Sequence, residues 1–202
     1  MPRFFALVPA AGLGRRMGTQ KLALKLGSQT VLERVVASLQ GASVDAVLVV
    51  LGASNQSLAS LVPSPVRLLQ LDFDTPDMRA TVMLGIRHLE REIVISEQDA
   101  LLLALGDQPT LHRDVVRGLM AEHRGDPSRI RMPTFQGKRG HPLLLPWRFL
   151  GDLENIPPDQ GLNALVKRNE NAISEMPVDD ADVLEDLDDP GDLERHRQRN
   201  WQ

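Results

Sequence analysis

Apolar residues along this chain follow two rhythms. Residues 4–8, 46–51 and 100–105 are short runs with no polar alternation, the pattern of strands covered on both faces. Between and after them, apolar positions recur every three or four residues: Val31, Leu32, Val35, Val36 and Leu39; then Val82, Ile86 and Leu89; then Val115, Val116, Leu119 and Met120. These stripes predict amphipathic helices after residue 30, over 78–91, and from Thr110 to about 123. Thr30 and Glu33 have the spacing of a capping box, and Gly41 and Gly125 are placed to stop the first and third helices. A short helix is expected near 56–61 and a strand near 66–71. The second half is less regular: strands at 130–135 and 142–145 around a tight loop, helical segments at 146–153 and 160–167, a strand at 172–176, and a terminal helix over 191–199.

Buried strands alternating with amphipathic helices predict an α/β fold with a mainly parallel sheet. Ligands in such sheets bind beyond the carboxyl ends of the strands, where residues 10–21 and 106–109 both fall. A length of 202 residues, with no repeat and no linker, suits one domain spanning 1–202. No apolar stretch approaches the roughly 20 residues that span a bilayer, and the N-terminus lacks the long apolar region of a signal peptide. A soluble cytoplasmic protein is expected, with no membrane partner. The absence of cysteine excludes disulfides, thiolate nucleophiles and Cys-ligated zinc, and a net charge of −4 gives no reason to expect nucleic acid.

Charge is unevenly placed. No acid precedes Glu33, whereas residues 179–194 hold nine acids and no Lys or Arg. After the first strand come Gly12, Gly14 and Gly18 with Arg15, Arg16 and Lys21. Glycines let backbone N–H groups approach a ligand closely, and the cations neutralise phosphate oxygens. The dinucleotide fingerprint fails because Met17 stands where a third small residue belongs, and no P-loop spacing is present. A Gly-rich turn with solvated arginines is the plainer alternative.

Asp107 follows an apolar run and Gly106, so it projects from a strand end as either a metal ligand or the cap of the next helix. In an extended segment Asp186 and Asp188 share a face. Two carboxylates about 4 Å apart repel by ~4 kcal/mol at an effective dielectric near 20, which a divalent cation relieves. Oxygen-only ligands beside phosphates favour Mg²⁺; taken alone, the segment reads equally as an acidic tail in water. His141, between Gly140 and Pro142, has no second histidine at a metal-ligand spacing. It contacts a second substrate or hydrogen-bonds in a tight turn.

Taken together, the motifs carry a resemblance. Ala10-Ala11-Gly12-Leu13-Gly14-Arg15-Arg16-Met17-Gly18-x-x-Lys21 resembles the A-A-G-x-S-x-R-M-G-x-x-K signature of the molybdenum-cofactor nucleotidyltransferases. Leu105-Gly106-Asp107-Gln108-Pro109 looks like their second motif, and residues 137–142 like their G-x-x-G-H-P. Asp159-Gln160-Gly161 is similar to their D-x-G, and residues 186–193 to D-I-D-T-P-E-D-L, all in family order. The cytidylyltransferase branch matches best, because the guanylyltransferases usually read L-A-G-G where this chain has Pro9-Ala10-Ala11-Gly12. Three departures stand out: Gly14 replaces a serine, Asp189 and Gly191 replace Thr and Glu, and residues 77–81 match G-M-x-x-S loosely.

The resemblance implies a Rossmann-like three-layer sandwich of the nucleotide-diphospho-sugar transferase type. It implies Mg²⁺-dependent transfer of CMP from CTP to a molybdopterin-type acceptor, with pyrophosphate released. Arg16, Lys21 and Asp107 would be catalytic, and Ala10, Ala11, Gly12, Leu13, Gly14, Arg16, Lys21, Thr81 and Asp107 would bind the nucleotide. Asp107, Asp186 and Asp188 would hold the metal, and Gly140 and His141 would face the acceptor. Partners would be CTP or another NTP, the acceptor, and a molybdoenzyme client or its chaperone. Guanylyl transfer, sugar-phosphate or sugar-alcohol nucleotidyl transfer, and a non-catalytic nucleotide or molybdopterin carrier are the alternatives. The transferase versions require the glycine turn and the aspartates near 107 and 188 to converge on one divalent ion and a nucleotide's phosphates, whereas a carrier has no need for the metal carboxylates.

Overall fold

The computed structural model describes residues 1–11, 21–157, 160–199 and 201. In chain order the strands are β1 (Phe4–Ala10), β2 (Lys25–Leu26), β3 (Gln29–Thr30), β4 (Ala46–Leu51), β5 (Arg67–Gln70), β6 (Ala100–Leu103), β7 (Ile130–Phe135), β8 (Lys138–Arg139), β9 (Leu143–Pro146) and β10 (Ile173–Pro177). The helices are α1 (Val31–Gly41), α2 (Met78–Glu92), α3 (Arg113–Gly125), α4 (Asn163–Arg168) and α5 (Pro190–Arg197), with 3-10 turns including Lys21–Ala23, Ala53–Leu61, Trp147–Asn155 and Ala181–Leu184. Among the described residues no helix is long and apolar enough to cross a membrane.

Strand β1 runs through the middle of an eight-stranded sheet of order β10-β7-β9-β6-β1-β4-β5, with β8 paired to β7. Successive side chains of a strand point to opposite faces. Phe4, Ala6, Val8 and Ala10 therefore join one apolar core with the inward residues of α1 and α3. Phe5 and Leu7 join a second core with α2, the turn Trp147–Asn155 and α4. Helices on both faces of a mostly parallel sheet give the expected α/β layering. The β1–β4, β1–β6, β4–β5 and β7–β10 pairs are parallel.

Local signals held where the partners were local. Thr30 caps α1, accepting from the Glu33 amide while the Glu33 carboxylate accepts from the Thr30 amide at 2.7 Å. One expectation is corrected. The third helix does not begin at a Thr110 cap: it starts at Arg113, His112 caps it by accepting from the Asp114 amide, and the Thr110 hydroxyl instead donates to the Asp182 carbonyl at 3.2 Å. The helical segments expected near 56 and 146 are present, as 3-10 helices. A further feature has no local signature: β9 is inserted antiparallel between β6 and β7, pairing with both.

The acidic stretch is not a tail. Leu187 and Val183 are buried, and Asp189 caps α5 in a box with Asp192. Arg199 then clasps the stretch from behind, donating to both Asp182 oxygens at 2.7 and 2.8 Å and to Glu185 at 2.7 Å. Trp201 lies under the Arg34 guanidinium at 4.2 Å, and Arg34 donates to the Leu26 carbonyl at 2.8 Å, which ties the end of the chain to the β2–β3 hairpin.

Candidate functional site

Parallel pairing of β1 with β6 makes the segments that follow them emerge side by side. One delivers Lys21 and the other Asp107. The Lys21 Nζ lies 2.5 Å from Asp107 Oδ2, 3.3 Å from Asp188 Oδ1 and 2.9 Å from the Leu187 carbonyl. A third segment is fastened to them through the backbone, since the Leu187 amide donates to the Asp107 carbonyl at 2.9 Å. Leu187 itself is fully buried in the core shared with α1 and α3. Lys21 and both aspartate segments thus meet in one place.

The electrostatics are those of an ammonium surrounded by an excess of carboxylate. Burial opposes the charge on Lys21, but Asp107 and then Asp188 outweigh it, so the net shift of its pKa is upward. Asp186 is pushed the other way for an acid: partial burial and the like charges of Asp188 and Asp107 raise its pKa. A group of carboxylates with residual negative charge and only oxygen donors suits a divalent cation that keeps phosphate and water ligands. Among the described residues no three His, Asp or Glu close around an ion by themselves. Asp107 and Asp188 flank one point, so the residues present fit an ion shared with phosphate and water better than a closed protein cage.

Gly140 and His141 sit next to this junction. The His141 amide donates to the Val183 carbonyl at 2.9 Å and the Gly140 amide to the Pro133 carbonyl at 2.8 Å. Gly140 is required by that approach, because a Cβ there would overlap the Val183 carbonyl oxygen and lie 2.8 Å from its carbon. Burial lowers the His141 pKa against the opposing charge of Asp107, which favours the neutral ring, and among the described residues its Nδ1 has no partner. A narrow crevice beside it is lined by Gln108, Thr110, Val115, His141, Asp182 and Val183. Gln108, 1% exposed, donates to the Asp182 carbonyl at 3.0 Å, and among the described residues its Oε1 is unpaired.

The other expected residues divide. Ala10 and Ala11 are buried at the carboxyl end of β1, with the Ala10 carbonyl accepting from Asn55 at 2.8 Å. Thr81 is buried in the first turn of α2, where its hydroxyl pairs with that of Thr75 at 2.5 Å. Gly12, Leu13, Gly14, Arg16 and Asp159 lie outside the described residues. Sequence reasoning did not single out Gln108, the Leu187 carbonyl or Arg199. The signal for Arg199 was present in outline, as a cationic terminal helix following nine acids.

Residues 6–173 match the family described as MobA-like NTP transferase domain. The 2-C-methyl-D-erythritol 4-phosphate cytidylyltransferase of Pseudomonas fluorescens is 30% identical over 131 residues, 63% of this chain and 55% of that protein, so the match spans about half of the relative's length. Among solved structures, a homologue of Rv0371c from Mycobacterium sp. strain JC1 superimposes with a TM-score of 0.80 at 28% identity, covering 96% of this chain and 94% of that one. A nucleotidyl transferase from Methanothermobacter gives 0.76 at 25% identity, covering 96% of each.

Proposed function

The chain belongs to the MobA-like NTP transferase domain family, and from that membership we propose that it is a metal-dependent nucleotidyltransferase, with CTP as donor and a molybdopterin-type phosphate as acceptor. In the proposed reaction a terminal phosphate oxygen of the acceptor attacks the α-phosphorus of CTP. The bond from that phosphorus to the β-phosphate oxygen breaks, and pyrophosphate leaves. Such a transfer needs in-line positioning and charge neutralisation more than covalent help.

The observation that carries the reading is the Lys21 ammonium set between Asp107 and Asp188 at the carboxyl ends of β1 and β6. Lys21 and Arg16 would take up charge at the α-phosphate and on the leaving pyrophosphate. Backbone N–H groups of residues 12–14 would hold the triphosphate, with Ala10 and Ala11 against the base. Asp107, Asp186 and Asp188 would hold Mg²⁺, which when bound neutralises phosphate oxygens. Gly140 and the neutral His141 would face the acceptor.

A second acceptor class has one specific observation in its favour. The 30%-identical relative is named for a sugar-alcohol phosphate, 2-C-methyl-D-erythritol 4-phosphate. The experiment that tests both is pyrophosphate release from each of the four NTPs with Mg²⁺ and either acceptor, followed by the mass of the product. Asp107→Ala and Lys21→Ala are each expected to lower kcat/KM about 10²–10³-fold while the protein stays folded. Wild-type turnover in either variant refutes that residue's role. Nucleotide binding without pyrophosphate release refutes enzymatic transfer in favour of a carrier.

A further inference from the structure

Lys21 has been given a role on phosphate, yet its donors are already committed. An ammonium carries three N–H donors. In this structure three acceptors surround Nζ: Asp107 Oδ2 at 2.5 Å, the Leu187 carbonyl at 2.9 Å and Asp188 Oδ1 at 3.3 Å. All three belong to the segments that carry the metal donors. An ammonium so placed cannot also grip a triphosphate, and the point between the two carboxylates cannot hold both it and a cation.

The frame around this point does not depend on the lysine. The Leu187 amide is bonded to the Asp107 carbonyl at 2.9 Å, and the Asp188 and Asp189 amides both donate to Asp192 Oδ2 at 2.8 Å. Leu187 is fully buried. The segments that carry the carboxylates are therefore held by backbone bonds and core packing that do not involve Lys21, whose long flexible stem is the part of the junction that can change rotamer.

We propose that Lys21 is the resident counter-ion of the metal position: a triphosphate draws its ammonium off Asp107 and Asp188, and only then does a divalent cation enter. The cation accordingly binds with the nucleotide and not before it. This rests on the nucleotidyltransferase reading above.

The test is binding of Mn²⁺ alone, followed by electron paramagnetic resonance of the free ion, and again in the presence of a non-hydrolysable CTP analogue. Wild-type protein is expected to bind Mn²⁺ at least about tenfold more tightly with the analogue than without it. Lys21→Met, which keeps the stem and removes the charge, is expected to bind nucleotide-free Mn²⁺ at least about tenfold more tightly than wild type. Lys21→Met/Asp107→Asn is expected to lose that gain, which places it at this site. A folded Lys21→Met with wild-type or weaker Mn²⁺ affinity overturns the proposal; Lys21→Gln serves if the methionine variant does not fold. Wild-type protein that binds Mn²⁺ equally well with and without nucleotide overturns it as well. Failure of wild type to bind any NTP is the separate result that removes the parent reading.

Discussion

Gly140→Ala adds one methyl group and tests how the acidic segment is held. A Cβ at this position would overlap the Val183 carbonyl oxygen, with the Val183 carbonyl carbon at 2.8 Å and its Cβ at 3.0 Å. These are backbone and buried atoms of the turn Ala181–Leu184, so no flexible side chain can move aside. The same carbonyl accepts the His141 amide at 2.9 Å, a bond that parts if the two segments separate. Overpacking of this kind costs about 1–3 kcal/mol and a lost hydrogen bond about 1 kcal/mol, giving ~2–4 kcal/mol in all. For a chain of this size each kcal/mol lowers Tm by about 2–4 °C, so a fall of roughly 5–15 °C is expected. Displacement passes along residues 185–188 to the carboxylate on Lys21, and misplacement by about 1 Å costs roughly 10²-fold in turnover. The assay is thermal unfolding beside Gly151→Ala, where an added Cβ meets nothing within 4 Å and Tm is expected to hold. A Gly140→Ala protein melting within about 1 °C of wild type would show that the turn yields freely, and the account of how Asp188 is positioned would be wrong.

Removing the Arg199 guanidinium with Arg199→Ala takes its bonds from Asp182 and Glu185. These groups are partly exposed, so the loss is held to about 1 kcal/mol, a Tm decrease of ~2–4 °C that narrows in high salt; a variant as stable as wild type in low salt counts against the clasp. Burial pushes the pKa values of His123, His141 and His196 below the ordinary 6.5. Above 6.5 these rings are neutral in both states; as pH falls through it the unfolded chain takes up protons that the folded one refuses, so the urea midpoint is expected to drop below 6.5, and a rise would refute this. Asp186 has the opposite sign: with its folded pKa raised, its charge opposes folding above that value, and the penalty fades as pH falls through it toward 3.8. Asp186→Asn is therefore expected to melt higher than wild type at neutral pH without metal and to gain less from Mg²⁺. An unchanged or lower metal-free Tm would show that the carboxylates do not crowd.

What was legible in the sequence is what neighbours along the chain decide. Thr30 and Glu33 are one turn apart, so the capping box could be read directly, and the apolar stripe of α1 is buried as its spacing predicts. The run at residues 4–8 announced a strand covered on both faces, and Phe4 and Phe5 do enter different cores. What was not legible depends on partners far away. The hydroxyl of Thr110 chose a carbonyl 72 residues on over its own helix, and no local rule supplies that competitor. The apolar run of β9 looks the same whether it pairs parallel or antiparallel. Asp186-Leu187-Asp188 could be read from the sequence as two carboxylates on one face or as an acidic tail in water, and only the burial of Leu187 in a distant core excludes the tail.

The two arms of the junction are built differently, and this decides where its function is vulnerable. Lys21 meets Asp107 because β1 and β6 are adjacent, in a ladder registered from Phe4 opposite Ala100 to Leu7 opposite Leu103. Asp188 arrives from 167 residues beyond Lys21, on a stretch outside the sheet. Its placement rests on the seat of Leu187, the contact of Gly140 with Val183 and the grip of Arg199 on Asp182 and Glu185. These are a few separate side-chain contacts, where the ladder is a repeated backbone one. Substitutions in the second arm are therefore the ones that can alter metal-linked behaviour while the central sheet and the Lys21–Asp107 pair persist.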